Sequence, residues 1–179
     1  KMGIHGSETA ELIFDDCRVP KENLIGKEGQ GFKIAMTALD GARIGVAAQA
    51  LGIAQRALDE SVKYMKERVQ FGKPIAALQG LQWYISDMAT KIECAKWMVF
   101  RAAWLKVDGQ PFTKEAAIAK LNASETATFV VNKALQIHGG YGYMKDYPLE
   151  RMYRDAKITE IYEGTSEVHK LVISRSVLK

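Results

Sequence analysis

Along three long stretches of this chain, apolar residues recur at steps of mostly three and four, the spacing of one helix face. The first comprises Phe32, Met36, Leu39, Val46, Ala50, Ile53, Ala57, Val62 and Met65. It predicts a helix reaching about Arg68, about 50 Å long at about 1.5 Å per residue. The loop Phe71-Gly72-Lys73-Pro74 ends it. The second runs from about Leu78 to Val107, with Leu81, Tyr84, Ile85, Met88, Ile92, Ala95, Val99 and Ala102 on its buried side, and Asp108-Gly109-Gln110-Pro111 stops it. The third starts after Thr113, whose hydroxyl is placed to cap a free backbone N–H. Ala117, Lys120, Leu121, Ser124, Thr128, Val131, Leu135 and His138 trace one side of it, up to Gly139-Gly140. A short helix at about Leu149 to Ala156 and a last one from Thr165 or Ser166 complete the pattern. The expected fold is all-α, an antiparallel four-helix bundle, preceded by a short β segment at Glu11–Asp15.

Composition changes this picture little. The chain has 179 residues, 47% hydrophobic and 26% charged, enough to bury a core as one unit. No run approaches the roughly 18 apolar residues of a membrane span. The chain opens at Lys1-Met2-Gly3 without a signal peptide, and reads as the interior of a longer protein. Cys17 and Cys94 match no metal or disulfide spacing, which points to a reducing compartment. The net charge is +4. Its basic residues are interleaved with acids, as in Lys63-Tyr64-Met65-Lys66-Glu67-Arg68, so nucleic acid is not an expected partner.

Chemistry is expected at three glycine-bearing loops: Arg68 to Gly72, Gln136 to Gly142 and Ile161 to Glu167. Each has a plain structural reading. Gly139-Gly140 suits a helix C-terminus. Arg68 suits a helix end. Glu163 suits the approach to a helix N-terminus. Asp40 and Arg43, three apart beside the apolar stripe, suit an ion pair on one helix face.

Taken together, these loops resemble the acyl-CoA dehydrogenase family, most closely its short-chain, butyryl-CoA type. The most specific stretch is Arg154-Asp155-Ala156-Lys157-Ile158-Thr159-Glu160-Ile161-Tyr162-Glu163-Gly164-Thr165. Asp15-Asp16-Cys17-Arg18-Val19-Pro20 and Gly31-Phe32-Lys33-Ile34-Ala35-Met36 are similar to the entry into that family's C-terminal bundle. The resemblance implies that residues 1–25 end a middle β-domain and that 26–179 form the bundle. It implies FAD as cofactor, an acyl-CoA substrate, a homodimer or homotetramer, and an electron-transfer flavoprotein as electron acceptor. A bacterial cytoplasm or a mitochondrial matrix would fit equally, with no membrane partner.

Carried over by position, the resemblance makes Glu163 the catalytic base. Asp40, Arg43, Gly164 and Arg175 would contact the acyl-CoA. Arg68, Phe71, Gln79, Gln136, Gly139, Gly140, Thr165, Ser166 and Glu167 would contact FAD, Arg68 that of a neighbouring subunit. Relatives that carry the base on the long helix place it where this chain has Ala42, which takes no proton. His138 stands where relatives often have an apolar residue, and is read as packing or a weak flavin neighbour, not a catalyst. The implied activity is FAD-dependent α,β-dehydrogenation of short-chain acyl-CoA thioesters. Two other readings stay open: an inert FAD half-site and oligomerisation module when isolated, and a nucleic-acid-binding relative.

Overall fold

The computed structural model describes residues 1–179. Five helices carry the fold: α1 (Gly31–Glu67), α2 (Gln79–Val107), α3 (Thr113–His138), α4 (Leu149–Ile158) and α5 (Ser166–Val177). The predicted boundaries hold to within a few residues. Between α1 and α2 lies an antiparallel hairpin, β1 (Val69–Gln70) with β2 (Lys73–Pro74), in the register Val69 opposite Pro74 and Gln70 opposite Lys73. Its two-residue loop, Phe71-Gly72, has φ of 53° and 75°. Positive φ at both positions matches the twist that closes a tight hairpin.

α3 is the central element, packed against α1, α2, α4 and α5. The sequence explains why helices can crowd it. Ala47, Ala50, Ala54 and Ala57 of α1 are fully buried, as are Ala116, Ala119, Ala123, Ala127 and Ala134 of α3. Side chains this small let the backbones approach closely. Met88, Val130, Val131 and Leu149 fill the remaining space and are almost wholly shielded. Each such apolar side chain contributes about 1.5–3 kcal/mol relative to exposure. No helix is long and apolar enough to cross a membrane.

Three local expectations are corrected. Glu11–Asp15 forms no strand, because an extended segment needs a ladder partner and this chain supplies none. Leu12, Ile13 and Phe14 stay 76–83% exposed. The first third of α1 projects beyond the bundle, so Phe32 (78% exposed) and Met36 (39%) are not core. Thr113 is the first helical residue rather than the cap, which is Phe112. Its hydroxyl donates instead to Asp40 Oδ2 at 2.6 Å.

Candidate active site

The segment between α4 and α5 makes a sharp turn at Glu163 and Gly164, with φ of 55° and 99°. Glycine takes that conformation freely. For Glu163 it costs about 1–2 kcal/mol, so the surroundings must hold it. The Arg43 Nε donates to the Glu163 carbonyl at 3.4 Å. The Lys120 Nζ donates to the Gly164 carbonyl at 2.6 Å. The Ser166 N–H closes the loop on the Glu160 carbonyl at 3.1 Å. Upstream, Glu160 accepts from Thr128 Oγ1 and Lys157 Nζ, each at 2.5 Å, and the Tyr162 hydroxyl donates to Gln49. Within this frame Glu163 keeps two free groups. Its Oε2 is buried without a partner, and its N–H donates to no backbone carbonyl.

Three polar side chains lie buried beneath the turn: Arg43, Lys120 and His169. The Arg43 Nη1 donates to Asp40 Oδ1 at 2.6 Å, so Asp40 ties Arg43 to Thr113. Burial and the nearby Arg43 charge pull the Lys120 ammonium down to about 8, against the opposing influence of Glu160, Glu163 and Glu167. Burial, reinforced by the charges of Lys120 and Arg43, pulls His169 down to about 4. Neither ring nitrogen of His169 has a hydrogen-bond partner. A Cβ on Gly164 would lie 3.4 Å from the imidazole Cε1 and Nε2. Position 164 therefore favours glycine for its backbone angles, while the ring would stand at ordinary contact distance from an added Cβ.

At the start of α5, Thr165 occupies the cap position and Ser166 the first helical position, with Glu167 exposed beside them. The Glu167 carboxyl is held below its ordinary range by its own backbone N–H and then by the Thr165 hydroxyl. Arg175 sits in the last turn of α5, exposed and outside the Glu163 cluster.

A second group of candidates collects at the other end of α1. Arg68, Phe71, Gly139 and Gly140 line an open cleft of about 640 Å³ together with Tyr64, His138 and Tyr141. The Arg68 guanidinium lies 5.2 Å over the Tyr141 ring. Phe71 is 86% exposed. A bulky side chain at positive φ is an outlier of the kind that concentrates at functional sites. Gly139 ends α3 with φ 58°, and added Cβ atoms at Gly139 and Gly140 would meet nothing within 4 Å. His138 packs as expected: it is buried, stacks on Tyr64 at 4.2 Å, and its Nδ1 pairs with the Ala134 carbonyl at 2.8 Å. Burial lowers its pKa. Gln79, the first residue of α2, and Gln136, in the last turn of α3, are exposed and do not line this cleft.

A sequence model described as "Acyl-CoA dehydrogenase, C-terminal domain" matches residues 29–178. This chain belongs to the acyl-CoA dehydrogenase family. It is 75% identical over its whole length to an acryloyl-CoA reductase (NADH) of Anaerotignum propionicum, covering 45% of that protein. It is 60% identical to a short-chain-specific acyl-CoA dehydrogenase of Clostridium acetobutylicum, covering 47% of it. Among solved structures, butyryl-CoA dehydrogenase from Megasphaera elsdenii matches with a TM-score of 0.99 and 56% identity, over 100% of this chain and 47% of that one. A chain in a structure of the electron transferring flavoprotein of Acidaminococcus fermentans matches with a TM-score of 0.99 and 61% identity, over 100% and 47%. The chain thus spans about half the length of the relatives it matches.

Within this acyl-CoA dehydrogenase domain, the structure brings Asp40, Arg43, Glu163 and Gly164 into one cluster, and Arg68, Phe71, Gly139 and Gly140 into another. Sequence reasoning did not single out Lys120, His169, Thr113 and Gln49 as parts of the Glu163 cluster. One signal was available for Lys120: a lysine inside the apolar face of α3, between Ala117 and Ser124.

Proposed function

We propose that this chain is the bundle of an FAD-dependent enzyme that α,β-dehydrogenates short-chain acyl-CoA thioesters, with Glu163 as the base. The observation that carries this reading is the buried, unpartnered Glu163 Oε2 on a strained turn. An oxygen with no hydrogen bond to give up is ready to accept a proton. The α-proton of a thioester is a weak acid, so its removal also needs donors on the thioester carbonyl, where negative charge develops. The free N–H of Glu163 is one such donor. Asp40, Arg43, Gly164 and Arg175 are assigned to the acyl-CoA, Arg43 through charge and Gly164 by leaving room for close approach.

When bound, the flavin supplies the acceptor for the β-hydride. Thr165, Ser166 and Glu167 would hold it beside Glu163. Arg68, Phe71, Gln79, Gln136, Gly139 and Gly140 would hold a second flavin. The open space at the two glycines and the cationic Arg68 suit a phosphate-bearing group. Arg43 and Arg68 lie 25 residues apart on α1, about 37 Å along the axis. Each cluster therefore fits a different cofactor molecule, which supports a homodimer or homotetramer. Residues 1–25 are assigned to the end of a preceding β-domain. Two contacts fasten them to α4: the Ile4 N–H donates to Asp155 Oδ1 at 2.6 Å, and Arg154 Nη1 donates to the Met2 carbonyl at 2.7 Å. An electron-transfer flavoprotein is the proposed electron partner, in a bacterial cytoplasm or mitochondrial matrix.

The 75% identity to an acryloyl-CoA reductase, against 60% to a dehydrogenase, favours a second reading. The same residues would then work in reverse, with Glu163 returning the proton to the α-carbon of an enoyl-CoA. Glu163→Gln in the complete protein tests both directions. Flavin content should be unchanged, and flavin reduction by butyryl-CoA should fall by about 10²–10⁴-fold or more. Reduction at the wild-type rate would sink the base assignment.

A further inference from the structure

Lys120 is fully buried on α3, a helix whose buried residues are mostly alanine, valine and isoleucine. An ammonium in such a place is unfavourable unless its donors are used. A packing role would be met as well by methionine, which has similar length and no charge. Lys120 uses its donor at one place, the Gly164 carbonyl, at 2.6 Å. The next carbonyl back, that of Glu163, accepts from Arg43. Two cations from two different helices therefore hold consecutive carbonyls of a turn whose two residues both have positive φ. His169 closes the third side of Gly164.

We propose that Lys120 is a positioning residue: its grip on the Gly164 carbonyl locks the left-handed Glu163–Gly164 turn and so presents the Glu163 carboxylate and N–H together. This rests on the reading of Glu163 as the base. Lys120 touches no reacting atom and acts through the backbone. Without its hydrogen bond, Glu163 relaxes toward the ordinary negative φ, which rotates both its carboxylate and its N–H away from their common target. Arg43 alone cannot prevent this, because its bond to the Glu163 carbonyl is long, 3.4 Å, while its short bond, from Nη1 at 2.6 Å, goes to Asp40.

The test uses the complete flavin-loaded protein and three variants: Lys120→Met, Lys120→Arg and Glu163→Gln. Lys120→Met keeps the length and shape of the side chain and removes the donor. Flavin reduction by butyryl-CoA should slow at least ten-fold, with flavin content unchanged and the substrate concentration for half-maximal rate within two-fold. Lys120→Arg, which retains a donor, should recover part of the rate. Independently of turnover, amide hydrogen exchange in the peptide spanning Thr159–Ser166 should quicken at least ten-fold in Lys120→Met, with exchange in α1 and α2 unchanged. Unchanged rate and unchanged exchange would overturn the proposal. So would faster exchange throughout the bundle, which would make Lys120 a general structural residue. An inactive Glu163→Gln beside a fully active Lys120→Met would reject the positioning role alone. An active Glu163→Gln would reject the base reading, and local exchange would then decide whether Lys120 holds the turn.

Discussion

His169 should make the bundle acid-sensitive in a defined window. Its ring is wholly buried, both nitrogens lack partners, and its pKa lies at about 4 rather than the ordinary 6.5. In the unfolded chain the imidazole regains the ordinary value. Between pH 6.5 and 4 the unfolded state therefore holds a proton that the folded state does not. Stability rises with pH wherever the unfolded state binds more protons, so acid erodes it here. The full cost, reached below pH 4, is at most about 3 kcal/mol. Between pH 7.5 and 5 it amounts to about 2 kcal/mol. The perturbation is His169→Gln, which keeps a polar planar side chain and removes the titration. Denaturant melts of both proteins at pH 7.5, 6 and 5 provide the assay. The substitution itself shifts stability by a constant amount. The stability difference between the two proteins should change by about 2 kcal/mol across the window, in favour of the variant at pH 5. Glu150 and Glu167, both held below their ordinary range, titrate in both proteins and cancel in the difference. A difference that is the same at pH 7.5 and pH 5 would refute the account of His169.

Three further substitutions test the contacts around the clusters. Gly142→Ala places a Cβ 2.5 Å from the Leu135 carbonyl oxygen and 3.0 Å from the His138 Cβ, so it should cost about 1–3 kcal/mol and lower Tm. Gly140→Ala meets nothing within 4 Å and should stay within about 0.5 kcal/mol of wild type, which calorimetry on the pair would show. Thr113→Val removes the 2.6 Å bond to Asp40 and should cost about 1 kcal/mol in a denaturant melt, and an unchanged midpoint would mean Asp40 needs only Arg43.

Helix number, order and boundaries were legible because hydrophobic periodicity and glycine or proline stops act locally. The spacing of Leu81, Met88, Ile92, Ala95, Val99 and Ala102 sufficed for α2. Periodicity carries no information on where the packing partner ends. Phe32 and Met36 continue the α1 stripe, yet nothing in this chain covers them. Glu11–Asp15 has strand composition, but a strand is defined by its partner. The site was legible in the same uneven way. Arg43 and Asp40 share one turn of a helix, so their pairing follows from spacing. Lys120 and Gly164 are 44 residues apart, and their contact exists only after α3 and the α4–α5 turn have docked. Thr113 and Asp40, 73 apart, are the same case. The turn at Glu163 also departs from local preference, because a glutamate at positive φ is favoured only by what surrounds it.

The geometry of α1 bears on assembly. A 37-residue helix packed through alanines against α3 is a rigid spacer, and it fixes the interval between the Glu163 cluster, about a third of the way along it, and the Arg68 cleft at its C-terminal end. If each cluster holds part of a flavin, no copy completes a site with its own two clusters, since about 37 Å separates Arg43 from Arg68. A two-fold axis solves this economically. Self-complementary pairing presents the cleft of each copy to the Glu163 cluster of the other, and both sites close at once. An isolated copy would then carry two half-sites. On this argument Arg68→Ala should weaken flavin retention in a dimer while leaving the Glu163 turn of its own copy intact.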